Sequence, residues 1–411
     1  MHRSYITLFA VVFAAVASAQ GSGELDLTFS GDGIVTTDFP TNNNDYGTCI
    51  VVQPNGRIVV GGSSSSSNGA ALALARFMSD GALDISFGTG GFVTTEVGSF
   101  PTLDDQLLGL AVQSDGKIVA VGSTFVNGGG YQAVVVRYNT DGTLDNSFSG
   151  DGVRVENTGT GSDDPFFAVA IAADGRIVVT GRAQNANGYD VVVGRYTSDG
   201  VPDDSFNGNG FVVTDIAGLD DHASALVIQP DGRIVISGRS ETIVGNDDLL
   251  LARYTASGAL DSSFGIGGVV VSTFTTGDDW AYSLALQPDG KLVAGGIVSG
   301  GFLGYMAVAR YAANGTLDAS FGSAGLATIV TGAYGYVRSL VVMPDGRIVG
   351  GGASDAGYAA AMLLPNGTLD NSFSDDGLVS HPKAAPASAM RWPCRRMAAC
   401  CSSANRTWGL P

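Results

Sequence analysis

The sequence predicts an all-β chain: a β-propeller of four-stranded antiparallel blades, with six complete repeats and the start of a seventh. Three observations predict it. A phenylalanine inside close copies of Leu144-Asp145-Asn146-Ser147-Phe148 returns at Phe29, Phe87, Phe148, Phe206, Phe264, Phe321 and Phe373, at spacings of 58, 61, 58, 58, 57 and 52 residues. Each period holds four short apolar runs separated by Gly-rich turns, two of them hairpin turns. Several runs, such as Ala133-Val134-Val135-Val136, are apolar on consecutive residues, so both strand faces are covered. Sheets stacked face to face meet all three conditions. A β-solenoid, the competing architecture, has shorter coils and lacks two hairpin turns per period.

Taken in order, the chain starts with Arg3, an apolar run from Tyr5 to Val16 and Ala17-Ser18-Ala19 before Gln20. This reads as a signal peptide over residues 1–19 and a secreted product, extracellular, at the cell surface or periplasmic. The run is too short to span a membrane. Residues 20–380 carry the repeats. The first strand of each unit follows the Phe loop, as in Gly33-Ile34-Val35-Thr36-Thr37 and, last, Gly377-Leu378-Val379. The second ends at Gln53, Gln113, Ala172, Gln229, Gln287 or Met343, before Pro54-Asn55-Gly56, Pro230-Asp231-Gly232 and their variants. Proline sets φ for the first turn position and glycine accepts the left-handed one, so a third strand folds back antiparallel. That strand starts at Arg57, Lys117, Arg176, Arg233, Lys291 or Arg347, and the fourth ends in Arg76-Phe77, Arg137-Tyr138, Arg195-Tyr196, Arg253-Tyr254 or Arg310-Tyr311.

The Leu-Asp-x-Ser-Phe, Pro-Asp-Gly-Arg-Ile-Val and Arg-Tyr-x-x-Asp-Gly runs, repeated in fixed order from about Glu24 to Ser380, resemble the delta-60 repeat family of exported bacterial β-propeller proteins. The resemblance implies fold and export, and carries over no catalytic residue. The chain departs from the pattern at Met362, where the sixth unit lacks its arginine, and at Pro202, which replaces leucine.

Residues 381–411 do not fit the repeats. They are basic, lack acids, and contain Cys394, Cys400 and Cys401. Joining the last base of each codon to the first two of the next, from Met390 onward, permits Ala-Leu-Ala-Leu-Gln-x-Asp-Gly-Arg-Leu-Leu. That is the second and third strand of another unit, so we expect a frameshift between about Ser380 and Met390 and a disordered tail as printed.

Of 21 Lys and Arg, Arg3 and the tail residues Lys383, Arg391, Arg395, Arg396 and Arg406 lie outside the repeats, leaving 15 against all 39 acids, about −24. Such a body excludes nucleic acid and anionic membranes as partners and leaves glycans, cations or basic protein surfaces. Cys49 shares its register with Gly109, Ala168, Ala225, Ser283 and Ser339, and reads as a small packed residue.

Two acidic registers emerge. Asp26, Asp84, Asp145, Asp203, Asp261, Asp318 and Asp370 recur in the Phe loops, eight residues after the arginine where one exists, and read as structural Arg–Asp pairs or turn caps. Asp45, Asp105, Asp164, Asp221 and Asp279 lie in the loop entering the second strand, followed by a residue that changes: Tyr46, Gln106, Pro165, His222 and Trp280, with Tyr336 in the sixth unit. Alternating strand directions put this register and the variable hairpins on one face, opposite the uniform Phe loops. Variation among equivalent units is expected where a ligand breaks the symmetry. The expected function is therefore a non-enzymatic binding or surface-scaffold module, taking a glycan or protein on Tyr46, His222, Trp280 and Tyr336 with the second Asp register around them. The competing explanation is that the aromatics pack between blades and the acids cap loops. The alternative function is a carbohydrate-active hydrolase or lyase using those acids. His222 is the lone histidine of the repeats and forms no nucleophile triad with Asp221 and Ser224. No metal spacing and no cofactor are implied; the Ser-Gly-Asp-Gly loops at Asp32 and Asp151 could help hold calcium but lack a dedicated ligand spacing.

Overall fold

The computed structural model describes residues 6–8, 23–40, 44–66, 69–98, 105–161, 163–300 and 303–382. Most of the signal segment and the tail from Lys383 onward lie outside them. Short strands β1 (Ile6–Leu8) and β2 (Val35–Thr37) pair antiparallel. Six four-stranded antiparallel sheets follow. The first is β3 (Asp45–Val52), β4 (Ile58–Ser66), β5 (Gly69–Phe77) and β6 (Phe92–Thr95), and the second β7 (Gln106–Val112), β8 (Ile118–Val126), β9 (Gly130–Tyr138) and β10 (Val153–Glu156). The third is β11 (Phe166–Ile171), β12 (Ile177–Gln184), β13 (Tyr189–Tyr196) and β14 (Phe211–Thr214); the fourth is β15 (Asp221–Ile228), β16 (Ile234–Ile243), β17 (Asn246–Tyr254) and β18 (Val269–Ser272). The fifth is β19 (Asp279–Leu286), β20 (Leu292–Gly300), β21 (Leu303–Tyr311) and β22 (Leu326–Ile329), and the sixth β23 (Gly335–Val342), β24 (Ile348–Ser354), β25 (Gly357–Leu363) and β26 (Leu378–His381).

Each sheet is thus three strands of one sequence repeat and the first strand of the next. This corrects the expected seventh start: Leu378–His381 is the outer strand of the sixth sheet, paired with β25, and includes the first residue assigned to the tail. The molecule is a six-bladed β-propeller, and no helix occurs among the described residues. The first strands lie side by side from sheet to sheet, β3 with β7, β7 with β11, and on through β19 with β23, so they are the inner ones.

The cores lie between sheets, which explains the continuous apolar runs. One joins Val119, Val121 and Val135 of the second sheet to Ile177, Val179 and Val192 of the third; another joins Val178 and Val193 of the third to Ile236, Leu250 and Ala252 of the fourth. One strand face fills each core. Among the loop phenylalanines, Phe87, Phe148, Phe206, Phe264 and Phe321 are fully buried, each contributing roughly 2 kcal/mol by its burial.

The Phe loop fastens each blade to the next. Arg137 Nε bonds Asp145 Oδ2 at 2.7 Å, its guanidinium lies 4.8 Å from the Phe148 ring centroid, and its Nη1 donates to the Ser198 carbonyl of the following sheet. Ser149 N donates to Asp199 O at 2.9 Å, a second tie across the same junction. Arg76, Arg195, Arg253 and Arg310 repeat the arrangement with Asp84, Asp203, Asp261 and Asp318. At Met362 the arginine is missing, and the turn residue Arg347, just before β24, still reaches Asp370, at 3.3 Å. Asp26 caps its own loop, its Oδ1 accepting Thr28 N at 2.9 Å. The first acidic register thus forms Arg–Asp pairs at the blade junctions, and Asp26 a turn cap.

Candidate functional site on the variable face

The loops leading into the inner strands, and the hairpins between second and third strands, share one face. The loop before β7 meets the end of β8: a Cβ on Gly98 would lie 2.8 Å from Phe125 O and 3.2 Å from Asp105 Oδ1. The second acidic register sits here, beneath the surface. Asp45, Asp105, Asp164, Asp221 and Asp279 are all buried, and each accepts amide protons from its own loop. Asp45 takes Phe39 N at 2.9 Å, Asp105 takes Val97 N at 3.0 Å, Asp164 takes Gly159 N at 3.0 Å, and Asp221 takes Ile216 N at 2.7 Å. Asp279 takes Phe274 N at 2.7 Å, Thr275 N at 2.9 Å and the Thr275 hydroxyl at 2.8 Å. Gly335 stands in this register in the sixth sheet.

Desolvation raises the carboxyls of Asp45, Asp164 and Asp279, and pushes Asp221 up to about 6. Asp221 also lies close to Asp190 and Asp215, with one oxygen of each within 4.8 Å of the others. These three are carboxylates spaced to hold a hard cation. Asp32 and Asp151 instead cap turns, accepting Ile34 N at 2.9 Å and Val153 N at 3.0 Å.

The variable residue after each acid is set by a bulge. Every inner strand shifts register two residues after its Tyr46 equivalent, between Gly47 and Cys49, Leu107 and Gly109, Phe166 and Ala168, Ala223 and Ala225, Ala281 and Ser283, and Val337 and Ser339. The bulge drives a carbonyl against the second strand. A Cβ on Gly238 would lie 1.8 Å from His222 O, and one on Gly296 1.7 Å from Trp280 O, so only glycine fits. That glycine, five residues after the turn Arg or Lys, is a signal the motif reading passed over.

His222, Trp280 and Tyr336 join a chain of side chains that the sequence reading did not assemble. His222 is buried, with Nε2 3.1 Å from Arg239 Nη2 and Nδ1 3.4 Å from Arg182 Nη1. Burial and the two guanidinium groups hold it well below the ordinary histidine range, so it is neutral and has one lone pair to offer. Arg182 bonds Asp163 Oδ2 at 2.5 Å and lies 4.3 Å from the Tyr189 ring centroid. Arg239 pairs with Asp247 and lies 5.0 Å from the Trp280 ring, whose Nε1 donates to Asp247 Oδ2 at 3.0 Å. Desolvation raises the Asp247 carboxyl against the pull of Arg239.

From Trp280 the chain continues as rings: Tyr282 at 6.0 Å, Tyr336 5.7 Å from Tyr282, and Tyr334 6.0 Å from Tyr336, all steeply inclined. Arg338 lies 5.5 Å from the Tyr282 ring. Tyr334 is 45% exposed, and Trp280, Tyr282 and Tyr336 are half-buried. Tyr46, 39% exposed on the first sheet, makes no ring contact with this group among the described residues. Tyr282 and Arg338 are bulge residues, which is why spacing alone did not place them beside Trp280 and Tyr336.

The fold and site can be set beside known proteins. No curated protein sequence matches the chain. Similar solved structures include Sqt1 from Chaetomium thermophilum (14% identity, TM-score 0.41, covering 79% of this chain and 71% of that one). A glucose dehydrogenase has 12% identity and TM-score 0.47, covering 76% of this chain and 94% of that one. A gluconolactonase from Xanthomonas campestris has 13% identity and TM-score 0.35, covering 73% and 88%. In sequence, residues 53–87, 113–148, 172–206, 229–264, 287–321 and 344–373 each match the β-propeller described as a domain of unknown function, DUF5122. Six matches, each running from the end of an inner strand to a Phe loop, place the chain in the DUF5122 β-propeller family.

Proposed function

We propose that the protein is an exported, non-enzymatic binding module of the delta-60 type that takes a glycan on its variable face. The aromatic run Trp280, Tyr282, Tyr336 and Tyr334 carries the reading. Inclined rings with partly open faces suit the apolar faces of sugar rings, while the phenol hydroxyls and Arg338 supply polar contacts. The enzyme reading is disfavoured because Asp105, Asp164, Asp221 and Asp279 are buried and already engaged by their loops, so they do not face one another across an open cleft. A glycan array is the test. Tyr282→Ala and Tyr334→Ala should each lower binding about tenfold, the loss of one stacked ring, with melting temperature unchanged. Undiminished binding by the double variant rejects the site, and binding confined to unglycosylated proteins rejects the glycan.

A further inference from the structure

Strand β2 occupies a place that the six sheets define and none of them fills. In every sheet the outer strand follows a Gly-x-x-Asp turn and a Phe loop, and pairs with the third strand: β6 with β5, β10 with β9, and on to β26 with β25. Gly23-Glu24-Leu25-Asp26, Phe29 and β2 reproduce this course, matching Gly81-Ala82-Leu83-Asp84, Phe87 and β6. The residue after the phenylalanine has positive φ in both, Ser30 at 55° and Gly88 at 54°.

The segment is docked at both ends as a blade junction is. Ser30 N donates to Asp80 O of the first sheet at 2.7 Å, just as Gly88 N donates to Asp141 O of the second at 2.7 Å. On the other side, a Cβ on Gly23 would meet Val379 Cγ2 at 2.6 Å and Phe373 O at 2.9 Å; one on Gly142 meets Val93 Cγ2 at 2.8 Å and the Phe87 ring at 2.9 Å. Gly23 therefore sits on the Phe loop of the sixth sheet as Gly142 sits on that of the first. Residues 23–37 thus follow the course of a turn, Phe loop and outer strand between the sixth sheet and the first, where a further blade would stand.

The inner part of that blade is where the apolar surface is left uncovered. Inner strand β23 is not packed on β3 as the other inner strands are packed on one another. Ile50 and Val52 of β3 are 43% and 49% exposed, and Val341 of β23 is 47% exposed. Their counterparts on β7, β11, β15 and β19, such as Leu110, Val112, Ala170, Leu226, Val227 and Leu286, are buried or half-buried. The strand now beside β2 is Ile6–Leu8, from the segment read as a signal peptide.

We infer that this gap receives the first three strands of a seventh sheet, encoded directly downstream of Ser380 in the shifted frame, and that Val35–Thr37 is that sheet's outer strand, closing the ring between the two chain ends. The shifted-frame text Ala-Leu-Ala-Leu-Gln-x-Asp-Gly-Arg-Leu-Leu matches Ser283-Leu284-Ala285-Leu286-Gln287-Pro288-Asp289-Gly290-Lys291-Leu292-Val293, an inner strand, its turn and a second strand. Its apolar side chains would cover Ile50 and Val341. The inference needs no ligand on the variable face and stands apart from the proposed function.

The test has two arms. The 3′ region of the gene should show a third strand in the same shifted frame; no further repeat in any frame overturns the inference. The chain with its frame restored and the chain as printed are then expressed without residues 1–19. The restored chain should be a monomer melting at least about 10 °C higher, with the amides of Val35–Thr37 protected from hydrogen exchange. A printed chain that dimerises with those amides protected makes a second copy the occupant. Equal melting temperatures with Val35–Thr37 unprotected in both leaves the gap open. Either result overturns the inference.

Discussion

Two rings of aspartate stand at opposite ends of the same strands, and the surroundings give them opposite acidities. On the Phe-loop face, burial by itself would raise Asp145, but Lys117 at 2.9 Å, the Ser147 hydroxyl at 2.7 Å and Arg137 at 2.7 Å hold it far below the ordinary range. Asp261 falls to about 2, held first by Ser263 and then by Arg253 and Arg233. On the variable face, burial with no arginine to offset it raises Asp221 to about 6, against the pull of the Ser240 hydroxyl and the loop amides and helped by the charge of Asp215. The difference teaches that a recurring acid is defined by its partners: one ring ties blade to blade through charge, while the other caps loops at an electrostatic cost.

The comparison can be broken most strongly at the first ring. Arg195→Ala should destabilise the protein by about 3 kcal/mol, because Asp203 and the Ala256 carbonyl lose a buried donor and Arg176 remains as a half-exposed substitute. Chemical denaturation reads this directly, and a loss below about 1 kcal/mol would show that the junction is held by Phe206 and the Asn207 N–Ser257 O bond without the arginine. Asp279→Ala should cost about 2 kcal/mol by stranding the Phe274 and Thr275 amides, with the fifth sheet's loop becoming protease-sensitive.

The smallest effect is the pH dependence, where the rings act with opposite sign. The Phe-loop carboxyls Asp203, Asp261 and Asp318 have folded pKa values below the usual 3.8, so their stabilisation is present above that value and lost as pH falls toward about 2. Asp221 has a folded pKa above 3.8, so its contribution is full below 3.8 and lost as pH rises through about 6. Asp221 by itself should therefore favour pH 5 over pH 8 by roughly 2 °C in melting temperature, against buried neutral His222, whose stabilisation is full above 6.5 and lost as pH falls below it. Asp221→Asn keeps an acceptor for Ile216 and should lower the melting temperature at pH 5 relative to pH 8 by about that amount compared with the native chain. A change between pH 5 and pH 8 left unaltered by the substitution would place the titrating group elsewhere.

Much of this was legible in the chain because it is local and repeated. Leu-Asp-x-Ser-Phe and Pro-Asp-Gly turns demand particular backbone conformations, consecutive valines demand two covered faces, and a period near 58 residues demands equivalent sheets. The Arg–Asp spacing of eight residues was readable for the same reason: both partners lie on one hairpin, as Arg137 and Asp145 do. The grouping of strands into blades was not, because a repeat boundary in sequence carries no mark of which sheet its first strand joins. Val35–Thr37 and Leu378–His381 have the same local pattern, yet the second completes the sixth sheet and the first pairs with Ile6–Leu8 outside the six sheets.

The sequence by itself determined the strands, the turns and the blade junctions, since each depends on residues within one repeat. Tertiary structure alone decided which acids lie buried, and that His222 stands between Arg182 and Arg239 from neighbouring blades. It also decided that the bulges carry Tyr282 and Arg338 to Trp280 and Tyr336. The Arg182–His222 and Tyr282–Tyr336 contacts join neighbouring sheets through the angle at which one leans on the next, and no pattern along a strand records that angle.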